Sequence, residues 1–262
     1  MASLERRVAV DAARAAGQLL RDQFRKPRHI SYKSRPTDLI TEMDARAEAL
    51  IVERLQRAFP EDAVLAEERG AAAGRSGRRW VIDPLDGTTN YAHGLPIFAV
   101  SIALEQGGRV AVGVAFDPSR DEMYVAERGA GATLNDEPLA VSRTPVLDAS
   151  LLVTGFPYDI RDTGDTNLPE YAAFAVRSRA VRRLGSAVLD LAYVAAGRFD
   201  GYWELRLGPW DIAAGALLVH EAGGRVTDLA GGPVDLDAPR VVASNGLIHD
   251  QILGVLAEVR AR

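Results

Sequence analysis

The sequence contains no cysteine among its 262 residues. Disulfide bonds and thiolate metal ligands are therefore excluded, and any bound metal must be held by oxygen atoms or by the four histidines. Long apolar runs are also absent: charged residues interrupt the stretch MASLERRVAVDAARAAGQLL, and no later segment approaches the roughly 18 apolar residues of a membrane span. The net charge of −5 argues mildly against nucleic-acid binding. We expect a cytoplasmic protein with no membrane contact and no direct nucleic-acid partner.

The composition is typical of a globular chain, with 47% hydrophobic and 26% charged residues. A chain of this length buries about three quarters of the surface that its unfolded form exposes, so a substantial core is expected. Apolar residues spaced by three and four predict helices over residues 4–24 and 41–59. The second helix starts with Thr41-Glu42-Met43-Asp44, a variant of the capping box. Asp44 therefore has an ordinary structural interpretation.

The remainder of the chain divides into two patterns. Short apolar runs from residue 64 to 127, several separated by turn signals, predict an antiparallel meander, and residues 70–79 read as a flexible surface loop. After about residue 145, strand candidates alternate with helical stretches near 168–178, 186–196, 211–222 and 246–260. We predict an α/β protein with an α+β half at residues 1–144 and an α/β half at 145–262.

The stretch WVIDPLDGTTN, residues 80–90, places two carboxylates directly behind three apolar residues. A strand ended by Pro84 and a capping aspartate would explain one of them. This structural interpretation leaves the other aspartate as a buried charge, and burying an unpaired charge costs several kcal/mol unless a cation neutralises it. Asp83 and Asp86 suit a hard cation such as Mg²⁺, which prefers oxygen ligands. A helix beginning at Gly87-Thr88 would direct free N–H groups at an anion above the metal.

WVIDPLDGTTNY followed by WDIAAGALLVHEAGG resembles both signature motifs of the inositol monophosphatase family, within the lithium-sensitive, magnesium-dependent phosphatases. TDLITEMD at 37–44, LAEE at 65–68 and RRLGSAVLDLAYVAAGRFDGYWELRLGPWD extend the resemblance over nearly the whole chain. Two long motifs in the correct order form a highly specific signal. The resemblance implies a layered α-β-α-β-α sandwich of the sugar phosphatase type.

The resemblance also implies a set of metal ligands. They are Glu67, Asp83, the carbonyl of Leu85, Asp86 and Asp211. In isolation Asp211 would pass for a helix N-cap, and both roles can coexist. Glu68 would assist the water or a metal ligand, although a solvated loop charge beside Arg69 is the ordinary alternative. The family usually has serine where this chain has Arg69 and often glycine where it has Ala66, and neither departure alters the ligands.

Thr88 and Asp44 match the family's water-activating pair, in which the threonine hydroxyl hands its proton to a carboxylate. This match reverses the preference for a purely capping Asp44. The backbone N–H groups of Gly87 and Thr88 would hold phosphate oxygens. Lys33 and Asp38 match the same segment as Asp44 and are interpreted as supporting residues.

The alcohol half of the substrate is expected to contact residues far along the chain. By resemblance these are Gly185, Ser186, Ala187 and Glu204. Glu204 alone would pass for a solvent-facing strand residue, but a carboxylate suits two vicinal hydroxyls. For Arg183 and Arg206, which would be able to reach substrate or a partner subunit, surface ion pairing is the default interpretation.

The expected function is Mg²⁺-dependent hydrolysis of a phosphate monoester, inositol 1-phosphate or a similar polyol phosphate, by a homodimer. Three alternatives are enzymatic: fructose-1,6-bisphosphatase, histidinol-phosphate phosphatase and nucleotide phosphatase activity. A further alternative belongs to another class. RRLGSAVLDLAYVAAG is of the bacterial type found in relatives that double in transcription, so a regulatory protein that binds transcription or ribosome-assembly factors stays open.

Overall fold

The computed structural model describes residues 2–26, 30–32, 39–237 and 240–261. Lys33 and Asp38 lie outside these described residues. The chain begins with helix α1 (Leu4–Gln23), capped by the Ser3 hydroxyl, which accepts from the Arg6 N–H at 3.1 Å. Strands β1 (Ile30–Tyr32) and β2 (Leu39–Thr41) pair antiparallel before helix α2 (Glu42–Ala58). Both long helices predicted for this region are confirmed.

An eight-stranded sheet follows, with the spatial order β10-β9-β8-β7-β6-β5-β3-β4. Its strands are β3 (Ala63–Ala66), β4 (Gly70–Ala72), β5 (Arg78–Asp86), β6 (Ala99–Gln106), β7 (Arg109–Asp117), β8 (Glu122–Glu127), β9 (Gly131–Leu134) and β10 (Glu137–Pro138). The antiparallel meander is confirmed from β5 to β10. The β3–β5 pair is parallel instead, so β3 was wrongly included in the meander.

The second half of the chain forms a mixed five-stranded sheet with the order β12-β11-β13-β15-β14. Its strands are β11 (Leu151–Thr154), β12 (Ala180–Arg182), β13 (Gly201–Glu204), β14 (Arg225–Thr227) and β15 (Val241–Ser244). Strand β11 runs parallel to β12 and β13, and the other pairs are antiparallel. The helices are α3 (Thr88–Ala92), α4 (Leu168–Ala175), α5 (Ala187–Ala195), α6 (Pro209–Glu221) and α7 (His249–Arg260).

Three apolar clusters stack these elements into five layers. The first packs α1 and α2 on one face of the large sheet, around Trp80 and Ile51. The second packs α5 and α6 between the two sheets, around Leu191 and Tyr202. The third packs α4 and α7 on the far face of the small sheet, around Trp203. The layered α-β-α-β-α sandwich is confirmed, whereas the division at residue 144/145 stays a prediction, because the second cluster draws on both halves.

Two local predictions need correction. Strand β5 does not end at Pro84 but continues to Asp86 through a register shift. Proline lacks an N–H group, and a bulge is the place in a sheet where that group is not required. The segment 70–79 is not loop throughout, because Gly70–Ala72 adds an edge strand to β3.

None of the helices in the described part of the chain combines the length and the apolar character that crossing a bilayer requires.

Candidate active site

The bulge in β5 determines how the first carboxylates are presented. Asp83 pairs with Ser101 on β6 and Asp86 pairs with Ala99, and the register shifts between them. The Leu85 N–H donates to Asp83 Oδ1 at 2.9 Å. Without the bulge, residues three apart on a strand would point to opposite faces. The irregular backbone instead brings Asp83 and Asp86 to one side.

Asp211 joins these two residues from another layer. The N-cap of α6 is Gly208 and not Asp211, so the N-cap interpretation of Asp211 is wrong. Asp211 is the third residue of the helix, and its Oδ2 accepts the Gly208 N–H at 2.6 Å, so it satisfies the helix start from within the first turn. Ligand oxygens of Asp83, Asp86 and Asp211 all lie within 4.8 Å of one another. Three carboxylates from two elements therefore converge on one point.

The acidic cluster is electrostatically costly in the absence of a cation. Burial raises the pKa of Asp83 well above its ordinary value, and the negative charges of Glu67, Asp86 and Asp211 add to the rise. Burial of its carboxyl group, followed by the charges of Glu67 and Asp86, does the same to the pKa of Asp211, although the residue as a whole is only partly buried. Burial raises the pKa of Asp86 to about 6. Oxygen donors that repel one another in a buried place fit a hard divalent cation.

A cavity of about 250 Å³ opens onto this cluster. Its wall contains all the predicted metal ligands: Glu67, Asp83, Leu85, Asp86 and Asp211. Gly87 and Thr88 line the same cavity. The residues predicted to bind the metal and those predicted to bind the phosphate therefore line the same cavity.

Gly87 sits at a turn where no other residue fits without strain. Its φ of +93° is in the left-handed region. A Cβ atom at this position would lie 2.8 Å from the Ile97 carbonyl oxygen and 3.2 Å from that of Gly185. The tight backbone allows α3 to begin at Thr88, directly beside the carboxylates.

Thr88 and Asp44 are in direct contact. The Thr88 hydroxyl lies 3.0 Å from Asp44 Oδ1 and 2.9 Å from the Leu85 carbonyl oxygen. Asp44 Oδ2 accepts the N–H and the hydroxyl of Thr41, so the capping box is formed as well. Burial raises the pKa of Asp44, and its hydrogen bonds from Thr41 and Thr88 oppose that rise. The capping and pairing interpretations of Asp44 are both correct in geometry.

Glu48 was missed in the sequence, although it lies next to the Glu67-Glu68 segment. It is fully buried on α2, and its Oε2 accepts the Glu68 N–H at 2.8 Å. Arg69 forms an ion pair with Glu48 Oε1 at 3.1 Å, which accounts for the arginine where the family usually has serine. The available signal was the spacing of four between Asp44 and Glu48, which places both on one helix face.

A second, narrower cavity of about 60 Å³ lies beside the first. All the residues predicted to contact the alcohol line it: Gly185, Ser186, Ala187 and Glu204. Glu204 is buried and accepts the Tyr202 hydroxyl at 2.7 Å. Burial raises the pKa of Glu204 to about 7, while the Tyr202 hydrogen bond and the Arg183 charge lower it. Glu204 is therefore not the solvent-facing residue that its strand position would suggest.

Ser186 and Ala187 also make contacts that the sequence did not reveal. The Ser186 hydroxyl donates to Asp86 Oδ2 at 2.7 Å, and the Val188 N–H donates to the same oxygen at 2.7 Å. The Ala187 N–H donates to Asp86 Oδ1 at 3.2 Å. The start of α5 thus holds Asp86 in place and supplies free N–H groups to a carboxylate.

The two arginines differ from each other. Arg206 is paired with Asp159 and donates to Thr163 at 2.9 Å, as surface ion pairing predicts. Arg183 makes no ion pair within the described residues and lines the narrow cavity, so the same prediction is wrong for it. Tyr158, also missed in the sequence, lines both cavities together with Arg206. Its neighbourhood in the sequence carried no signal for this position.

The layered fold and the acidic cluster define an α/β protein with three converging carboxylates beside a polar cavity, a donor set that fits a hard cation. The match with known proteins specifies the class: the model of the inositol monophosphatase family covers residues 3–261, and the chain belongs to that family.

Individual relatives extend over nearly the whole chain. The inositol-1-monophosphatase of Synechocystis sp. is 46% identical over 251 residues, covering 95% of this chain and 88% of the relative. The Nus factor SuhB of Pseudomonas aeruginosa is also 46% identical, covering 91% and 90%. The structure of inositol monophosphatase from Anabaena (Nostoc) sp. superposes with a TM-score of 0.88 at 44% identity, covering 97% of this chain and 95% of that one.

Proposed function

We propose that this protein hydrolyses phosphate monoesters with Mg²⁺ as cofactor and that its substrate is inositol 1-phosphate or a similar polyol phosphate. The observation that carries the proposal is the convergence of three carboxylates and the Thr88–Asp44 pair on one cavity. Membership of the inositol monophosphatase family supports the same reaction. So does the name inositol-1-monophosphatase carried by relatives from Synechocystis and Mesorhizobium japonicum, each 46% identical.

Glu67, Asp83, the Leu85 carbonyl, Asp86 and Asp211 would hold the metal. A bound divalent cation supplies charge neutralisation for the phosphate and lowers the pKa of water, which is the usual contribution of metals to phosphate ester hydrolysis. Asp86 is held by three hydrogen bonds from the start of α5, and Asp211 by the Gly208 N–H. These contacts orient the carboxylates before any ligand arrives.

Thr88 and Asp44 would act on the attacking water. The Thr88 hydroxyl has one proton, and when it donates that proton to Asp44 Oδ1 its lone pairs are available to accept from water. The N–H and the hydroxyl of Thr41 hold the Asp44 carboxylate in place, and its other oxygen accepts the hydrogen bond from Thr88. The pair would thereby orient the water for in-line attack, and the Gly87 and Thr88 N–H groups would bind phosphate oxygens. Glu68, on the segment that Glu48 holds, would assist the water or a metal ligand.

The narrow cavity would receive the alcohol. Glu204 is a buried acceptor there, and Gly185, Ser186 and Ala187 line the same cavity. Hydroxyl groups of a polyol are donors that match such an acceptor. The narrow cavity would determine which alcohol is accepted, whereas the phosphate ester would be hydrolysed in the wide cavity.

The test is phosphate release from a panel of monoesters with and without Mg²⁺. The panel contains inositol 1-phosphate, fructose 1,6-bisphosphate, histidinol phosphate and adenosine 3′,5′-bisphosphate. Mg²⁺-dependent release with the highest kcat/KM on inositol 1-phosphate is expected. Preference for another member would replace the substrate, and no Mg²⁺-dependent release from any member would overturn the enzymatic proposal.

A second candidate function is regulatory, because the 46% identical relative from Pseudomonas aeruginosa is named a Nus factor. Binding of a transcription or ribosome-assembly factor would use surfaces apart from the acidic cluster. Co-purification of RNA polymerase or its elongation factors with both the wild type and the Asp83→Asn variant would support it. Loss of every such partner at physiological salt would contradict it.

We also propose that the protein is a homodimer in the cytoplasm. The family resemblance supports both statements, and sedimentation equilibrium of the full chain tests the first. Cell fractionation tests the second.

A further inference from the structure

Asp190 is a buried carboxyl group with no partner. It lies on α5 and is 1% exposed, and neither of its oxygens accepts a hydrogen bond within the described part of the chain. Other buried aspartates of this protein, such as Asp44, Asp86 and Asp200, each accept two or more. Buried polar groups in native proteins are nearly always paired, so Asp190 requires an explanation.

The start of α5 does not provide that explanation. Acidic residues are common in the first turn of a helix because free N–H groups and the helix dipole attract them. Here the N–H groups of Ala187 and Val188 already donate to Asp86. The Asp190 N–H is engaged with the Ser186 carbonyl, as in any helical turn. Asp86 therefore accepts the free N–H groups at the start of α5, and the Asp190 carboxyl accepts none of them.

The position of Asp190 indicates a ligand instead. Asp190 lines the narrow cavity together with Glu204 and Arg183, and it does not line the wide cavity that contains the acidic cluster. The narrow cavity has a volume of about 60 Å³, enough to admit small polar groups such as the hydroxyl groups at the edge of a sugar-like ring.

The charges in this cavity favour hydroxyl groups over a second anionic group. Burial raises the pKa of Asp190 well above its ordinary value, the charges of Glu204 and Asp86 add to the rise, and Arg183 opposes it. A raised pKa favours the protonated carboxyl, and that form offers both a donor and acceptors. Glu204 beside it is an acceptor, so the two side chains complement groups that both donate and accept.

We propose that Asp190 is a substrate-binding residue that, together with Glu204, binds hydroxyl groups on the alcohol portion of a phosphate monoester. This inference rests on the proposed phosphatase function and adds a specificity-determining residue to it. Its consequence is discrimination between polyol phosphates and phosphate esters whose alcohol carries no hydroxyl.

The test compares Asp190→Ala and Asp190→Leu with Asp190→Asn on two substrates. Inositol 1-phosphate has hydroxyl groups on its alcohol portion, and p-nitrophenyl phosphate has none. For Ala and Leu we expect KM for inositol 1-phosphate to rise about tenfold, the equivalent of one hydrogen bond, with kcat within twofold. KM for p-nitrophenyl phosphate should not change. Asn retains a donor and an acceptor and should restore KM to within about threefold of the wild type.

Asp200→Ala provides the matched control. Asp200 is also a buried carboxyl, but it accepts the Ser142 hydroxyl at 2.5 Å and the Leu151 N–H at 2.6 Å, and it lines neither cavity. We expect Asp200→Ala to lower Tm and leave both KM values unchanged. Asp190→Ala should not lower Tm, because no hydrogen bond is lost.

The possible results separate the inference from the proposed function. If Asp190→Ala and Asp190→Leu leave KM for inositol 1-phosphate unchanged, or raise KM for both substrates equally, Asp190 does not read hydroxyl groups. If both variants fail to fold, the carboxyl is structural and the inference is also wrong. If the wild type hydrolyses neither substrate with Mg²⁺, the proposed function itself fails.

Discussion

Thr88 and Asp44 meet across 3.0 Å although they are 44 residues apart. One oxygen of Asp44 closes the capping box of α2, and the other accepts the Thr88 hydroxyl at the start of α3. The carboxylate therefore joins the starts of two helices. Its capping contacts hold it in the orientation that the pairing with Thr88 needs.

The first prediction concerns this pair. Thr88→Val and Asp44→Asn should each lower kcat by about 10²- to 10⁴-fold, the usual contribution of a positioned proton acceptor, with little change in KM. The double variant should be hardly worse than either single variant, because the two side chains act as a unit. Steady-state kinetics on the preferred monoester measures both effects.

Thr89→Val is the control for this prediction, since Thr89 lies in the same short helix without lining the wide cavity. Its kcat should stay within about threefold of the wild type, because its side chain does not line the cavity that Thr88 lines. Additive losses in the double variant would show that Thr88 and Asp44 act separately.

The second prediction concerns the acidic cluster. Asp83→Asn removes a charge that Glu67, Asp86 and Asp211 all repel, so the metal-free protein should gain stability while losing the rise in Tm that Mg²⁺ produces in the wild type. Thermal unfolding with and without Mg²⁺ measures both.

The matched control is Asp117→Asn, another buried aspartate at a strand end, whose partners are Arg120 and Ser119. It should lower Tm but retain the Mg²⁺-dependent rise. An undiminished rise in Asp83→Asn would rule out Asp83 as a ligand.

The third prediction concerns Arg206. It holds the segment 157–163 through Asp159 and Thr163, and its own φ is +59°. Arg206→Ala should make this segment more sensitive to limited proteolysis and raise KM several-fold, because the segment lines both cavities through Tyr158. An exposed ion pair contributes only about 0–1 kcal/mol, so Tm should change little.

Arg206→Gly distinguishes the effect of losing the Arg206 side chain from the effect of its backbone conformation. Glycine loses the same contacts but relieves a left-handed conformation that costs other residues about 1 kcal/mol, so its Tm should exceed that of Arg206→Ala. Unchanged cleavage rates in both variants would mean that Arg206 does not hold the segment.

The fourth prediction concerns acid stability. His249 is fully buried between the Thr227 and Ser244 hydroxyls, each 2.9 Å from a ring nitrogen. Burial, followed by the charge of Arg225, lowers the pKa of His249 to about 4 from an ordinary value near 6.5. The folded state therefore binds fewer protons than the unfolded state between these values, and stability falls as the pH drops from 6.5 to 4.

The measurement is urea unfolding at several pH values for the wild type and His249→Gln. The difference in free energy of unfolding between them should shrink on acidification, by up to about 3 kcal/mol. Comparing the two proteins cancels the contribution of the buried carboxylates to the pH dependence of stability. Their raised pKa values make stability rise on acidification, which is the opposite direction. A difference that does not vary with pH would show that His249 does not titrate in this range.

The sequence predicted the helices and most strands because hydrophobic periodicity is a local property. It failed for the parallel pairing of β3 and for Pro84, since the partner of a strand and the site of a bulge depend on the neighbouring strand. The same dependence on distant residues divides the site into residues that the sequence identified and contacts that it did not.

The sequence by itself determined which residues are candidates for chemistry, because Asp83, Asp86 and Asp211 lie in long motifs whose residue types suit a hard cation. Only the tertiary structure decided how they are held. The contacts between Asp86 and the start of α5 join residues about a hundred positions apart. The support of Glu68 by Glu48 and the unpartnered carboxyl of Asp190 likewise follow from packing between layers, which no local pattern of residues encodes.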